Sequence, residues 1–372
     1  MEPVSAHPRP ARLRFRAILI ALVALFVVIQ GVALMPSTLE KPFVAGQIDP
    51  EELKPNAQEE VLAPGIPKDQ IPEYTVEKFE YVSAQGGVRQ WRLVAEKAYM
   101  FNSLRVMHSR KITAYLFNPD SEPTIVTGKE AKYFLDDRDL EIYGDVVTQF
   151  PDGFSTKSEY LRYRPGPRRV QIPEKYWVHG EGDEDGESDQ TLEFDSLGMD
   201  YPMNDNHVLL PKNVKAIMRQ AKKRDATNKG VQSSTEIRSD QCVIDRNTNI
   251  AHFTMYASRP LAEKFVKITQ PDLFAKSRRA DLSYGDFTDV VHYLTAWEDV
   301  LIRETSTEAK SLQYGTGGRA DFDSKKELVI LTQFPQVYQD SDTLVGDVIL
   351  MHRDTGIVEV EHGNAFSSGE NK

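Results

Sequence analysis

Apolar side chains recur at every second residue through much of the stretch from 73 to 366. Leu140, Ile142, Gly144, Val146 and Phe150 fall on one side of such a run, with Glu141, Asp145 and Gln149 on the other. Trp91, Leu93 and Ala95 alternate with Arg92, Val94 and Glu96, and Val291, Tyr293, Thr295 and Trp297 alternate with His292, Leu294 and Ala296. A period of two with one apolar face predicts antiparallel strands, one side toward a core and the other toward water. Turn signals separate the runs: Asp136-Asp137, Pro151-Asp152-Gly153, Asp245-Arg246-Asn247, Asp323-Ser324-Lys325 and Asp354-Thr355-Gly356.

The N-terminus follows another rule. Ala17–Met35 is nineteen residues interrupted only by Gln30 and Gly31. At about 1.5 Å per residue, a helix of that length just spans a hydrocarbon core about 30 Å thick. Arg9, Arg12, Arg14 and Arg16 precede it, a bias that predicts a cytoplasmic N-terminus and an exported remainder. A cleaved signal peptide is the competing reading, with Gly31-Val32-Ala33 as its small-residue site; continuation of the apolar run to Met35 favours a retained anchor. Seven prolines from Pro36 to Pro72 predict an extended linker. The expected order is a basic tail over 1–16, a transmembrane helix over 17–35, a linker over 36–72, a first module over 73–219, a polar linker over 220–234, a second module over 235–366 and a tail over 367–372.

Composition narrows the function classes. The chain has 45 Lys+Arg against 56 Asp+Glu, and beyond residue 35 the balance is 41 against 55, about −14. That acidity argues against nucleic acid, which demands a basic face. A single cysteine, Cys242, precludes an intrachain disulfide, so an exported body must be held by its core and ladders.

Catalytic motifs are missing. The eight histidines are scattered without the i, i+4 spacing of a zinc protease, no Gly-x-Ser-x-Gly elbow occurs, and Gly315-Thr316-Gly317-Gly318 lacks a phosphate loop's lysine and reads as a tight hairpin. The acidic run Gly180–Asp189 lacks the ligand spacing of a calcium loop and reads as solvated. No cofactor and no metal are expected.

A weak repeat recurs at Ala131–Asp136 and Arg319–Asp323, each followed by a turn and a rising strand, as in stacked rungs of a solenoid or open jelly roll. The apolar faces admit two arrangements, a closed sandwich core or splayed sheets that leave a trough for acyl chains. Periodicity is the same for both.

Two stretches carry a family resemblance. Trp91–Ala98, Pro123–Ala131, Leu140–Val146, Asp152–Thr156, Gly198–Tyr201 and Val208–Val214 resemble the LptC family, the membrane-tethered periplasmic component of lipopolysaccharide export. Ala320–Asp323, Leu328–Leu331, Phe334–Asp340, Gly346–Ile349 and Asp354–Val360 resemble the LptA or OstA-like bridge family of the same pathway. One chain thus carries both modules, where the family usually divides them. The resemblance implies an all-β protein of two β-jellyroll (β-taco) modules behind one inner-membrane helix, with the bulk in the periplasm. It implies no enzymatic activity, an LptBFG-type ABC transporter as energy source, and a further LptA-like bridge or an LptD-type translocon as next partner.

On that reading Leu140, Ile142, Val146 and Phe150 face the trough in the first module, and Phe322, Leu328, Ile330 and Ile349 in the second. Ile357, Val358, Glu359 and Val360 form a partner edge, since little chain remains to cover it. An exported jelly-roll glycan hydrolase and a structural envelope tether without lipid are the alternatives.

Overall fold

A computed structural model describes residues 72–367, apart from 103, 119–120, 152, 183–189, 221–232, 285–292, 305–312, 324–326, 340–341 and 354. The expected helix at 17–35, the linker as far as 71 and most of the acidic run therefore lie outside the described residues. Everything described belongs to one unit, Ile66–Lys372, and its regular structure is all β.

The first eight strands are 10 to 14 residues long: β1 (Tyr74–Gln85), β2 (Val88–Phe101), β3 (Val106–Asn118), β4 (Ser121–Phe134), β5 (Leu140–Gln149), β6 (Phe154–Arg164), β7 (Arg169–Gly182) and β8 (Gln190–Pro202). Each pairs antiparallel with the next. Near its middle each is bent, and the bends line up across the sheet as a crease. Lys78 and Lys111 take positive φ there, as do the adjacent Gly144 and Asp145, and Gly198 closes the series. A non-glycine residue at positive φ costs energy, which the flanking ladders hold in place. In β2 and β4 the bend also shifts the side-chain phase. Trp91, Leu93 and Ala95 point inward before the crease in β2 and Ala98 after it; Thr124 and Val126 do so in β4 before Ala131 and Tyr133. The sheet folds over on itself, and its two halves become facing walls.

Downstream the same walls are built from shorter pieces. β9 (His207–Leu210), β12 (Gln241–Asp245), β13 (Ile250–Thr254), β16 (Arg279–Ser283), β19 (Leu328–Thr332), β22 (Val348–His352) and β23 (Val358–Glu361) belong to one wall. The other wall holds β10 (Val214–Gln220), β11 (Ser233–Ser239), β14 (Val266–Gln270), β15 (Leu273–Ser277), β20 (Gln336–Gln339), β21 (Asp342–Val345) and β24 (Asn364–Ser367). Among the described strands of this half only β17 (Leu294–Glu304) and β18 (Gln313–Asp323) still cross the crease as single strands. We call the wall that carries Trp91 and β10 the first, and the wall that carries Tyr133 and β9 the second.

The segment expected as a linker over 220–234 is flanked by directly paired strands. β10 bonds to β8 on one side and to β11 on the other, with Val214 opposite Ser239 and Gln220 opposite Ser233. β9 likewise joins β8 to β12. Both ladders pass through this region without interruption.

Gly315, Gly317 and Gly318 lie inside β18 and not in a hairpin, which corrects the sequence reading. A Cβ on Gly315 would stand 2.7 Å from Leu331 Cδ1, so the position needs its bare backbone. Gly318 sits at the crease, its amide donating to the Gln333 carbonyl at 2.9 Å.

Candidate functional site

Between the walls lies one apolar interior. Its buried residues form a single cluster from Trp91 to Met351, and Ala216 opposite Ile237 carries it across the β10–β11 pair. Trp91, Tyr163, Phe253 and Phe322 are its largest fully buried members. Burial raises the Cys242 thiol pKa strongly and pushes the Tyr163 hydroxyl up to about 12.

Leu140, Ile142 and Val146 of β5, Phe150 just after it, Phe322 of β18 and Ile349 of β22 all point into this interior. Leu328 and Ile330 do not. Phe322 is opposite Val329, and Leu331 is opposite Ile349, so Val329 and Leu331 hold the inward places in β19. Leu328-Val329-Ile330-Leu331 is apolar at every position, and such a run has no alternation from which to choose a face. The face assigned around Trp297 is reversed for a related reason. Leu294 and Ala296 are fully buried inward, opposite Phe322 and Ala320. Trp297 lies outside between the Arg279 and Arg319 guanidinium groups, 5.2 and 4.5 Å from its ring, with Nε1 donating to Asp281 at 2.7 Å.

Charged residues mark the crease. Lys111 meets Glu96 at 2.6 Å, Lys129 meets Asp145 at 2.5 Å and Arg278 meets Asp299 at 2.8 Å. Asp240, between β11 and β12, is buried; it accepts two hydrogen bonds of 2.5 Å from Arg259 and one of 2.9 Å from the Tyr256 amide. Burial alone would raise the Asp240 carboxyl pKa, but these donors outweigh it and hold the group below its usual range. The sequence signal for these bends was available: a Gly, Lys or Asp interrupts an otherwise apolar alternation in mid-run.

The walls also touch at the rims opposite the crease. Near the N-terminal end Tyr81 and Trp91 of the first wall pack on Tyr133 of the second, with ring centroids 5.3 and 4.9 Å apart. Farther along, Phe150 meets Tyr201 edge-on at 5.5 Å, and Arg246 covers both rings. The last group is polar. Gln270 Nε2 of the first wall donates to Tyr293 Oη of the second at 2.6 Å, and Asp272 pairs with Arg353 across the same gap.

The two ends of the sheet differ in what they expose. β1 pairs only with β2 among the described residues, and its inward-facing Tyr74 and Val76 are 41% and 43% exposed. At the other end, among the described residues, β23 pairs only with β22 and β24 only with β21. The Ile357 carbonyl accepts from the His352 amide at 2.9 Å. Alternation along an antiparallel pair then turns the amides of Val358 and Val360 away from β22. Ile357 precedes the strand and is exposed, while Glu359 points to the outer face, opposite Leu350.

Residues 53–179 match the family described as lipopolysaccharide-assembly, LptC-related, and residues 229–357 match the family described as LptA/(LptD N-terminal domain) LPS transport protein. The chain is an LptC-like module joined to an LptA-like module. No curated protein matches it. Among solved structures it is similar to LptH, the LptA-homologous periplasmic component of the lipopolysaccharide transport device from Pseudomonas aeruginosa, at 13% identity over 36% of this chain and 95% of that one, with a TM-score of 0.31. The strands that stitch the LptC-like region to the LptA-like region, β8 to β10, lie between the two matched stretches.

Proposed function

We propose that this chain is a lipopolysaccharide bridge of the periplasm, tethered to the inner membrane by Ala17–Met35. It takes lipid from an LptBFG-type ABC transporter and passes it toward an LptA-like bridge or an LptD-type translocon. The observation that carries the reading is the single apolar interior running through both modules. Each acyl CH₂ left in water costs about 0.8 kcal/mol, so a many-chained lipid crosses an aqueous gap only under continuous cover. Two walls joined along one crease supply that cover without a break where the modules meet. The chain's own part is shelter and direction, with the driving energy supplied by the transporter.

A photo-crosslinking amino acid at Ile142 or Val329 is expected to capture lipopolysaccharide in cells, and one at Glu141 or Ile330 is not. Equal capture on both faces overturns the assignment. The open edge supports hand-over by strand addition. Proline at Val358 removes an amide that points away from β22, so Val358→Pro should abolish copurification with the next component while circular dichroism is unchanged. Retained copurification and lipid delivery would exclude this edge as the contact.

A further inference from the structure

Among the described residues three rim contacts tie the walls together, and they differ in kind. Those in the LptC-like region are built around aromatic rings. The one in the LptA-like region is a polar cluster drawn from four separate hairpin ends. Gln270 and Asp272 close the β14–β15 hairpin, Glu304 ends β17, Tyr293 precedes it on the opposite wall, and Arg353 follows β22.

Gln270 Nε2 bonds both Tyr293 Oη, at 2.6 Å, and Thr235 Oγ1, at 3.0 Å. Both Gln270 and Tyr293 are 6% exposed. The Gln270 Oε1 is buried and has no hydrogen-bond partner among the described residues. Asp272 pairs with Arg353, and Glu304 faces the same two charges. An interior closed by such a rim gives an acyl chain no path in from the side.

We infer that this cluster is the gate of the trough in the LptA-like module: Gln270–Tyr293 and Asp272–Arg353 hold the rims shut and part to admit acyl chains. The inference rests on the lipid-bridge reading above. Its physical basis is the asymmetry of what opening exposes. An amide, a phenol, a carboxylate and a guanidinium all exchange their mutual bonds for water at small net cost. The orphaned Gln270 Oε1 gains a bond when the rim is wetted. Apolar surface bared behind them is costly only until an acyl chain covers it. A polar rim is therefore easy to open when lipid is present and favours closure when it is absent, whereas an aromatic rim resists opening in both cases.

Two measurements on the full-length chain test this. The first needs no lipid. Cys242 is the only cysteine, is 1% exposed and points into the interior, so its labelling by a water-soluble maleimide reports parting of the walls. Tyr293→Phe with Arg353→Gln should speed that labelling about tenfold, as expected for losing one or two net hydrogen bonds. An unchanged rate overturns the clasp. The second uses Asp272→Cys with Arg353→Cys, bridged by a reducible bifunctional maleimide, and a photo-crosslinker at Val329 or Ile142. Bridging should abolish lipid capture at Val329 and leave capture at Ile142, and reductant should restore the first. Undiminished capture at Val329 in the bridged protein overturns the gate. Absence of capture at both positions in the unbridged protein overturns the lipid-bridge reading, and with it the gate's proposed role, while the Cys242 rate still decides whether the clasp holds the walls.

Discussion

The LptC-like and LptA-like regions build the same two walls by different means. In the first, eight strands of 10 to 14 residues each run through the crease, and the bend is a local distortion within an unbroken strand. In the second, most strands are 4 to 7 residues long and stop at the crease, where a turn of one or more residues starts the next strand on the other wall. A bend inside a strand ties the walls rigidly, because the ladder on one side fixes the register on the other. A turn transmits less. The polar rim lies in the half whose crease is made mostly of turns, although Tyr293 and Glu304 flank β17, which still crosses as one strand; the aromatic rims lie where the crease is made of bends, so the more pliable half carries the contact that opens most readily.

If the shared ladders at β8–β10–β11 and β8–β9–β12 couple the halves, they should unfold together. Trp91→Ala in the LptC-like region and Phe322→Ala in the LptA-like region each remove a fully buried ring and should each cost about 3–5 kcal/mol. Both should shift one common transition in calorimetry and in denaturant. Two separately moving transitions would show that the continuous sheet does not bind the modules into one cooperative unit.

Strand content and the all-β class were legible from alternation, because a half-buried antiparallel strand leaves that trace in any sequence. The inward face of β5 was legible too, since Glu141, Asp145 and Gln149 mark its outside. Faces were lost where polarity did not mark them, as in Leu328–Leu331, or where a large apolar residue lies outside, as Trp297 does among its arginines. The crease was lost because a phase slip in mid-strand looks like an imperfect pattern. Contacts between distant strands leave no local trace at all. Lys215, Arg238, Lys267 and Lys276 become successive cross-strand neighbours on the outer face of the first wall, although the chain's overall charge is acidic. The rim cluster is assembled from residues 235 to 353 in the same way.

Crease ion pairs offer a milder test of the two halves. Asp145 and Lys129 are both about two-thirds exposed, so Asp145→Asn should leave the urea midpoint nearly unchanged. Asp240 is buried beneath Arg259, and Asp240→Asn should cost about 1–3 kcal/mol by weakening three hydrogen bonds. The Asp240 carboxyl is held below its usual range, so its contribution is present above about pH 4 and is lost as pH falls through the depressed folded value. The difference between wild type and Asp240→Asn in urea melts should therefore shrink in acid. A difference that stays constant with pH would mean that Asp240 acts through shape and not through charge.

Glu304 reverses that sign and gives the smallest effect. It lies on the first-wall rim opposite Leu273, where burial, and then the neighbouring Asp272, raise its pKa above the ordinary 4.5 while Arg353 opposes them. The folded protein holds this proton more tightly than the unfolded chain. The resulting stability is full below the unfolded value and declines as pH rises through the raised folded value. At neutral pH the charged Glu304 is a burden on the rim, which Glu304→Gln removes. The substitution should raise Tm slightly at about pH 7 and leave it unchanged at about pH 4. The rim at Tyr81, Trp91 and Tyr133 is built of aromatic rings and not of carboxylates, so Tyr81→Phe should show the same small change at both pH values. If Glu304→Gln lowers Tm at neutral pH, the carboxylate is a strut of the closed rim and Arg353 is its partner as much as that of Asp272.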